Sequence, residues 1–196
     1  MAKYDLEEIR HKLVHLPLGL LQHCERTVQV CSDLALQYGE DVERAQVAAL
    51  LHDVARPLAP EELLRIARQY RLPITWVDET MPFLLHGPVG AVLMRRDFGI
   101  TDEGMLEAVS CHTVGRPNMS TLARVLFIAD KIELGKEETY PGIARIRTIA
   151  AKNLNQAVLE FINWEIGFLI RRNGLLHPLS IETRNELLAR SKEAVI

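Results

Sequence analysis

Apolar residues recur at helical spacing along almost the whole chain, and convincing strand alternation is found nowhere. Leu20, Val28, Val30, Leu34 and Leu36 mark one such stripe, and Gly39 follows Gln37-Tyr38 as its stop. Asp41 is placed to cap the next helix, whose Val47, Ala48, Leu50 and Leu51 run up to Pro57. Pro60 suits a first helical position, with Glu61 and Glu62 in the electropositive first turn. Gly87-Pro88 opens a segment that closes at Gly99, Thr101 with Asp102 and Glu103 starts another, and Ser120 caps one more, ending before Gly135. The longest helix is expected from about Leu154 to Asn173, with an apolar stripe through Val158, Phe161, Ile162, Ile166, Leu169 and Ile170 and a stop at Gly174. Ser180 is expected to cap a final helix through Leu187 and Leu188, and Arg71 to Leu85, with Pro73, Trp76 and Pro82, reads as a long irregular loop. The expected fold is all-α, with residues 1–196 forming one domain.

Composition narrows the function classes. A chain of 196 residues that is 48% hydrophobic can fill one core. A net charge of −3 argues against a protein that coats nucleic acid or a membrane surface. No apolar stretch approaches the roughly 20 residues a membrane span needs. Residues 1–13 are charged and amphipathic, without the apolar centre or cleavage site of a secretion signal. A soluble, cytoplasmic protein is therefore expected, and a homodimer is compatible with the sequence. Cys24, Cys31 and Cys111 are odd in number and form no CxxC pair, so they are expected to be free buried thiols. There is no evident Ser/His/Asp or Cys/His triad and no Walker-type glycine loop, which disfavours covalent catalysis and motor-type ATP use.

The chemistry-bearing residues are acids and histidines in apolar company. His52-Asp53 closes the run Ala48-Ala49-Leu50-Leu51. Neighbours on a helix point about 100° apart, so the two side chains can converge only on something beyond the helix end. A first-row metal ion accepts both imidazole nitrogen and carboxylate oxygen; a solvent-facing polar pair is the ordinary alternative. His23 lies on the preceding helix, with Arg26 one turn further on the same face. Asp130 follows Val125-Leu126-Phe127-Ile128-Ala129, where an ionised carboxylate is costly unless it is paired with Arg or Lys or bound to metal. His86-Gly87-Pro88 stands at a helix start, and Cys111-His112-Thr113 at a helix end, where a histidine can also simply answer the dipole. His11 and His15 read as surface residues, and His177 has no carboxylate neighbour at matching spacing.

Together His23, His52, Asp53, His86, His112 and Asp130 supply four imidazoles and two carboxylates. That is enough for two ions roughly 3.5–4 Å apart with a bridging carboxylate, able to bring the pKa of a bound water down to around 7 for attack on phosphorus. Two divalent ions less two carboxylates leave about +2, which suits a polyphosphate. Arg26, Arg56 and Arg116 can add to that charge, although Arg56 and Arg116 can equally be solvent-facing ion-pair residues.

The order H…HD…H…H…D resembles the HD superfamily of metal-dependent phosphohydrolases. Leu51-His52-Asp53-x-Ala55-Arg56, Leu84-Leu85-His86-Gly87-Pro88-Val89, His112-Thr113-x-Gly115-Arg116-Pro117-Asn118-Met119 and Ile128-Ala129-Asp130-x-Ile132-Glu133 are more closely similar to the YqeK group, the bacterial symmetrical dinucleoside tetraphosphate hydrolases. The similarity extends through Tyr140-Pro141-Gly142 and Leu175-Leu176-His177-Pro178-Leu179-Ser180, so it covers nearly the whole chain. It implies that His23, His52, Asp53 and Asp130 bind a divalent ion, iron first, with manganese or cobalt as alternatives. It implies nucleotide contacts from Arg26, His86, His112 and Gly174, Leu175, Leu176 and His177, with His86 and His112 as candidate ligands of a second ion. Asp53, His86 and His112 are then the candidate catalytic residues, with Arg56, Arg116 and Lys136 as candidate phosphate contacts. The group usually has Lys at the place of Arg56, which keeps the charge. It usually has Arg at the place of Lys136, where a longer Lys136-Glu137-Glu138-Thr139 stretch follows, and a lysine gives up bidentate phosphate contact. The expected activity is hydrolysis of diadenosine tetraphosphate to two ADP. The alternatives are an HD hydrolase of another nucleotide, such as a guanosine polyphosphate or a deoxynucleoside triphosphate, and a non-catalytic nucleotide-binding regulator. The presence of all six candidate ligands speaks against the regulator.

Overall fold

The run from Val125 to Ala129 is apolar on every face, not along one stripe, and such a helix has to be surrounded. The computed structural model of the protein describes residues 4–136 and 142–193, and in it this helix is the central element. Among the described residues there are eleven α-helices and no strand. In chain order they are α1 (Leu6–Lys12), α2 (Leu18–Gln37), α3 (Val42–Leu51), α4 (Pro60–Gln69), α5 (Trp76–Thr80), α6 (His86–Phe98), α7 (Glu103–Cys111), α8 (Thr121–Ile132), α9 (Ile143–Ala150), α10 (Leu154–Arg171) and α11 (Pro178–Glu193). Single 3₁₀ turns at Pro82–Leu85 and Leu134–Lys136 precede α6 and follow α8.

Helix α8 packs on α2, α3, α7, α9 and α10, and its Val125, Leu126, Phe127, Ile128 and Ala129 are fully buried. A smaller cluster, Ala55, Leu63, Ile66, Ala67, Leu85, Val89 and Leu93, lies beneath α4, the Pro82–Leu85 turn and α6. The helix starts are fixed by side chains that accept otherwise unmatched amide donors. Asp41 accepts from Arg44 N–H at 3.1 Å, Asp102 from Met105 at 3.1 Å and Ser120 from Ala123 at 3.2 Å. Gly99, at φ 67°, takes the left-handed conformation that ends α6. No described helix is long and apolar enough to cross a membrane. All three cysteines are free and buried.

Four local expectations are corrected. The longest described helix is α2, with 20 residues against 18 for α10, because Arg172 and Asn173 already belong to the closing turn. Arg71 to Leu85 is not a long irregular loop: Thr75 and Asp78 form a reciprocal capping box that nucleates α5, and the Pro82–Leu85 turn follows. Ser180 lies within α11, whose start is set by Pro178 and by the His177 ring accepting from Leu179 N–H at 3.2 Å; the Ser180 hydroxyl donates instead to the Val114 carbonyl at 2.8 Å. Helix α3 ends at Leu51, six residues before Pro57, because His52 already caps it. Residues 137–141, which include most of the Lys136-Glu137-Glu138-Thr139 stretch and Tyr140-Pro141, lie outside the described residues.

The crossing of α6 and α7 has no room for a side chain at Gly87. A Cβ there would stand 2.8 Å from Thr113 Oγ1, 3.0 Å from the Ser110 carbonyl and 3.1 Å from the Val109 carbonyl. Gly87→Ala is therefore expected to destabilise the protein by about 1–3 kcal/mol, read by denaturant unfolding, because two of the three neighbours are backbone and cannot turn away.

Candidate metal centre

Helix ends leave backbone carbonyls without partners, and this chain puts a histidine against three of them. His52 caps α3 and its Nδ1 lies 2.7 Å from the Ala49 carbonyl; His112 caps α7, with Nδ1 2.7 Å from the Val109 carbonyl. His86 ends the Pro82–Leu85 turn and begins α6, with Nδ1 2.5 Å from the Phe83 carbonyl. A carbonyl oxygen only accepts, so each Nδ1 carries the hydrogen and each Nε2 keeps a free lone pair. His23, on α2, reaches the same state differently: its Nδ1 donates to Glu133 Oε1 at 3.1 Å.

The four Nε2 atoms converge on two carboxylates. His23 Nε2 lies 3.0 Å from Asp130 Oδ1 and 3.7 Å from Asp53 Oδ2, and His52 Nε2 lies 3.7 Å and 3.5 Å from the same two oxygens. His86 and His112 face the other Asp53 oxygen, Oδ1, at 3.2 and 3.5 Å. Asp53 thus presents one oxygen to each pair of imidazoles. Within the pairs, Nε2 of His23 and His52 are 3.2 Å apart, and those of His86 and His112 are 3.1 Å apart. Two lone pairs at that separation repel unless something positive lies between them.

The electrostatics call for the same thing. Asp53 is fully buried and Asp130 nearly so, and Oδ1 of each has no hydrogen-bond partner. Burial opposes the ionisation of Asp53, but the imidazoles of His52, His112 and His86 around it outweigh that and hold the carboxyl well below the ordinary range. Burial likewise opposes a proton on His52, yet Asp53 and Asp130 push its pKa well above 6.5. His112, for which burial is the largest influence, is pushed down to about 4. His23, His52 and Asp130 form one buried group whose donor atoms lie within 4.8 Å of one another, and His52, Asp53 and His112 form a second. The nitrogen-and-oxygen donor set fits a divalent first-row ion.

Glu133 is a residue to which sequence reasoning gave no role. It is 1% exposed and accepts from His23 Nδ1, from Arg26 Nε at 2.5 Å and from Gly135 N–H at 2.6 Å. Its place one helical turn after Asp130 was the available signal. Burial opposes its ionisation, but Arg26, Gly135 and His23 outweigh that and lower its pKa. Arg26 is therefore held at Glu133. Lys131 was missed as well, and its Nζ reaches Asp130 Oδ2 at 2.5 Å and the His112 carbonyl at 3.2 Å.

A cavity of about 480 Å³ opens beside the centre. Its polar lining includes Arg56, His86, Thr113, Asp130, Lys131 and Lys136, and its apolar lining includes Met81, Phe83, Leu84, Val114, Phe161, Ile166, Leu169, Leu175 and Leu176. Arg56 contacts Asp53 Oδ2 at 2.8 Å. His177 lines the cavity and, its Nδ1 being an acceptor, donates through Nε2 towards Asp78 Oδ2 at 3.3 Å. Gly174 closes α10 through its N–H to the Leu169 carbonyl and is not part of the cavity wall. Arg116 is elsewhere, paired with Glu107 at 3.0 Å over a separate depression lined by Tyr70, Leu72 and Ser110.

A helical chain whose HD pair and four further imidazoles and carboxylates meet in one buried centre is an HD-type metal protein in architecture. The chain belongs to the HD domain family: the HD domain model matches residues 20–135, a span that holds all six converging residues. Such a domain implies a divalent metal. Three relatives carry the name bis(5′-nucleosyl)-tetraphosphatase, symmetrical. The one from Halalkalibacterium halodurans is 36% identical over 91% of this chain and 94% of its own length. The one from Bacillus subtilis is 35% identical over 86% and 89%. A solved structure from Clostridium acetobutylicum, an HD superfamily hydrolase described as involved in NAD metabolism, superposes with a TM-score of 0.91 at 36% identity, covering 95% of this chain and 98% of that one.

Ligation needs His52 without its second proton, and the neighbouring carboxylates raise its pKa, so affinity is expected to rise with pH and protons to be released on uptake. Calorimetry in buffers of different ionisation enthalpy reads both. Glu133→Gln, which removes the charge that orients His23, is expected to weaken metal affinity about 10–100-fold in competition with a chelator.

Proposed function

We propose that this protein hydrolyses diadenosine tetraphosphate symmetrically, giving two ADP. The observation that carries the reading is the split carboxylate of Asp53, one oxygen towards His23 and His52 and the other towards His86 and His112, beside a cavity lined by cations. The names of the relatives from Halalkalibacterium halodurans and Bacillus subtilis support the substrate. His23, His52, Asp53 and Asp130 would hold a divalent ion, and His86 and His112 would be the ligands of a second. The bound metal supplies an activated water at neutral pH and Lewis-acid charge towards phosphate oxygens.

The protein's own residues do the rest. Asp53 fixes the spacing of the two imidazole pairs. His86 and His112 keep their Nε2 unprotonated because their Nδ1 hydrogens are committed to carbonyls. Arg56, Lys131 and Lys136 line the cavity and balance polyphosphate charge, Arg56 from the rim and Lys131 from beside Asp130. Lys136 contributes a point charge where a bidentate guanidinium would grip two oxygens. The apolar lining, with Leu175, Leu176 and His177, receives the nucleoside. Arg26 acts through Glu133. We assign the 196 residues to one HD-type domain working in the cytoplasm. The donor set contains no convergent thiolate, which supports iron, with manganese and cobalt able to replace it.

Asp53→Asn is expected to lose activity by orders of magnitude with the helical fold retained, because a neutral amide is a poor bridge between cations. A surface partner would give an almost silent change, within about 0.5 kcal/mol in stability. Turnover assays with circular dichroism separate the two, and near-wild-type turnover at normal metal content would remove Asp53 from the centre. Chromatography of early products is expected to give ADP alone. Equal ATP and AMP would mean asymmetric cleavage, and no cleavage would point to another nucleotide.

A further inference from the structure

Phe161, Glu165 and Leu169 recur at four-residue spacing on α10, which puts them on one face of the helix, and all three line the cavity. Glu165 is thus a carboxyl between two apolar neighbours in the wall that receives the nucleoside. The other polar groups of that wall are engaged within the protein. Ser180 donates to the Val114 carbonyl, His177 holds Leu179 N–H and Asp78, and Thr113 lies 3.3 Å from His86 Nε2. Glu165 has no hydrogen-bond or ion-pair partner among the described residues. A carboxyl without a protein partner in this wall is free to accept a hydrogen bond from a ligand.

Phosphates are excluded as that ligand, since two anions would face each other. The charge pattern assigns them to Arg56, Lys131 and Lys136. A nucleoside offers donors, and of these the exocyclic amino group stands at the far end of a flat apolar ring that suits Phe161 and Leu169. We propose that Glu165 accepts a hydrogen bond from the 6-amino group of the adenine and so makes this wall an adenine-reading site. A 6-oxo purine would set a carbonyl oxygen against the same carboxyl. Burial raises the pKa of Glu165, against the pull of Lys131 and together with Asp130.

The proposal rests on reading the cavity as a nucleotide site, and the test separates the two. The metal-loaded full chain is titrated calorimetrically with ADP, with purine riboside 5′-diphosphate, which lacks the amino group, and with tripolyphosphate, which lacks the base. Wild type is expected to favour ADP over the purine analogue about tenfold. Glu165→Met is expected to abolish that preference and leave tripolyphosphate binding unchanged, whereas Glu165→Gln, whose amide oxygen still accepts, retains it. Loss of the same size for all three ligands in Glu165→Met, or an ADP preference that survives it, overturns the assignment while leaving the nucleotide site standing. Failure of wild type to bind ADP at all removes the nucleotide reading and this assignment with it.

Discussion

Two carboxylates held out of water, Asp53 and Asp130, are what the rest of the structure has to accommodate. Each has an oxygen without a hydrogen-bond partner, and both lie where burial disfavours charge. An isolated carboxylate in such a place would be neutralised or expelled. Here Lys131 pairs with Asp130 and Arg56 with Asp53, and four imidazoles delivered by four separate segments face the remaining oxygens, so the centre joins α2, the end of α3, the start of α6, the end of α7 and α8. The cost of the carboxylates and the packing of the core are therefore one problem: α8 must be surrounded because it is apolar, and the same neighbours that surround it carry the groups that meet Asp130.

The histidines are oriented by a device that uses what helix ends leave over. Three of the four lend Nδ1–H to a carbonyl three residues back, which fixes the ring, the tautomer and the direction of Nε2 in one contact. His23 lies within α2, where the carbonyls are already engaged, and takes Glu133 as acceptor instead. Glu133 in turn is held by Arg26 and the Gly135 amide. The network around His23 thus binds α2 to the segment after α8, and the metal centre is continuous with the scaffold.

The cavity shows a second consequence of the same arrangement. Because Asp130 and Lys131 are adjacent on α8, one acid of the centre and one cation of the cavity are delivered by one helix. The apolar cavity wall comes from α10, from the segment leading into α11 and from the turn before α6, elements that bring no converging side chain to the centre beyond His86. The converging imidazoles and the apolar wall therefore have separate structural sources, and a change in the wall need not disturb the histidines.

Much of this was legible in the chain. The helical period of apolar residues determined the all-α class, and Asp41, Asp102 and Ser120 marked helix starts that the backbone obeys. Acidic and imidazole groups set in apolar runs marked His52, Asp53 and Asp130, because burying such groups demands a partner whatever the fold. What the sequence could not contain was distance. Asp78 and His177 are 99 residues apart yet 3.3 Å in space, so His177 had no visible carboxylate, and Arg116 looked equivalent to Arg56 until the packing of α7 paired it with Glu107 away from the centre. The capping box that makes α5 was hidden by prolines on either side. The sequence determined which groups needed compensation; the tertiary structure alone decided which groups provide it, because only packing brings remote segments within hydrogen-bonding range.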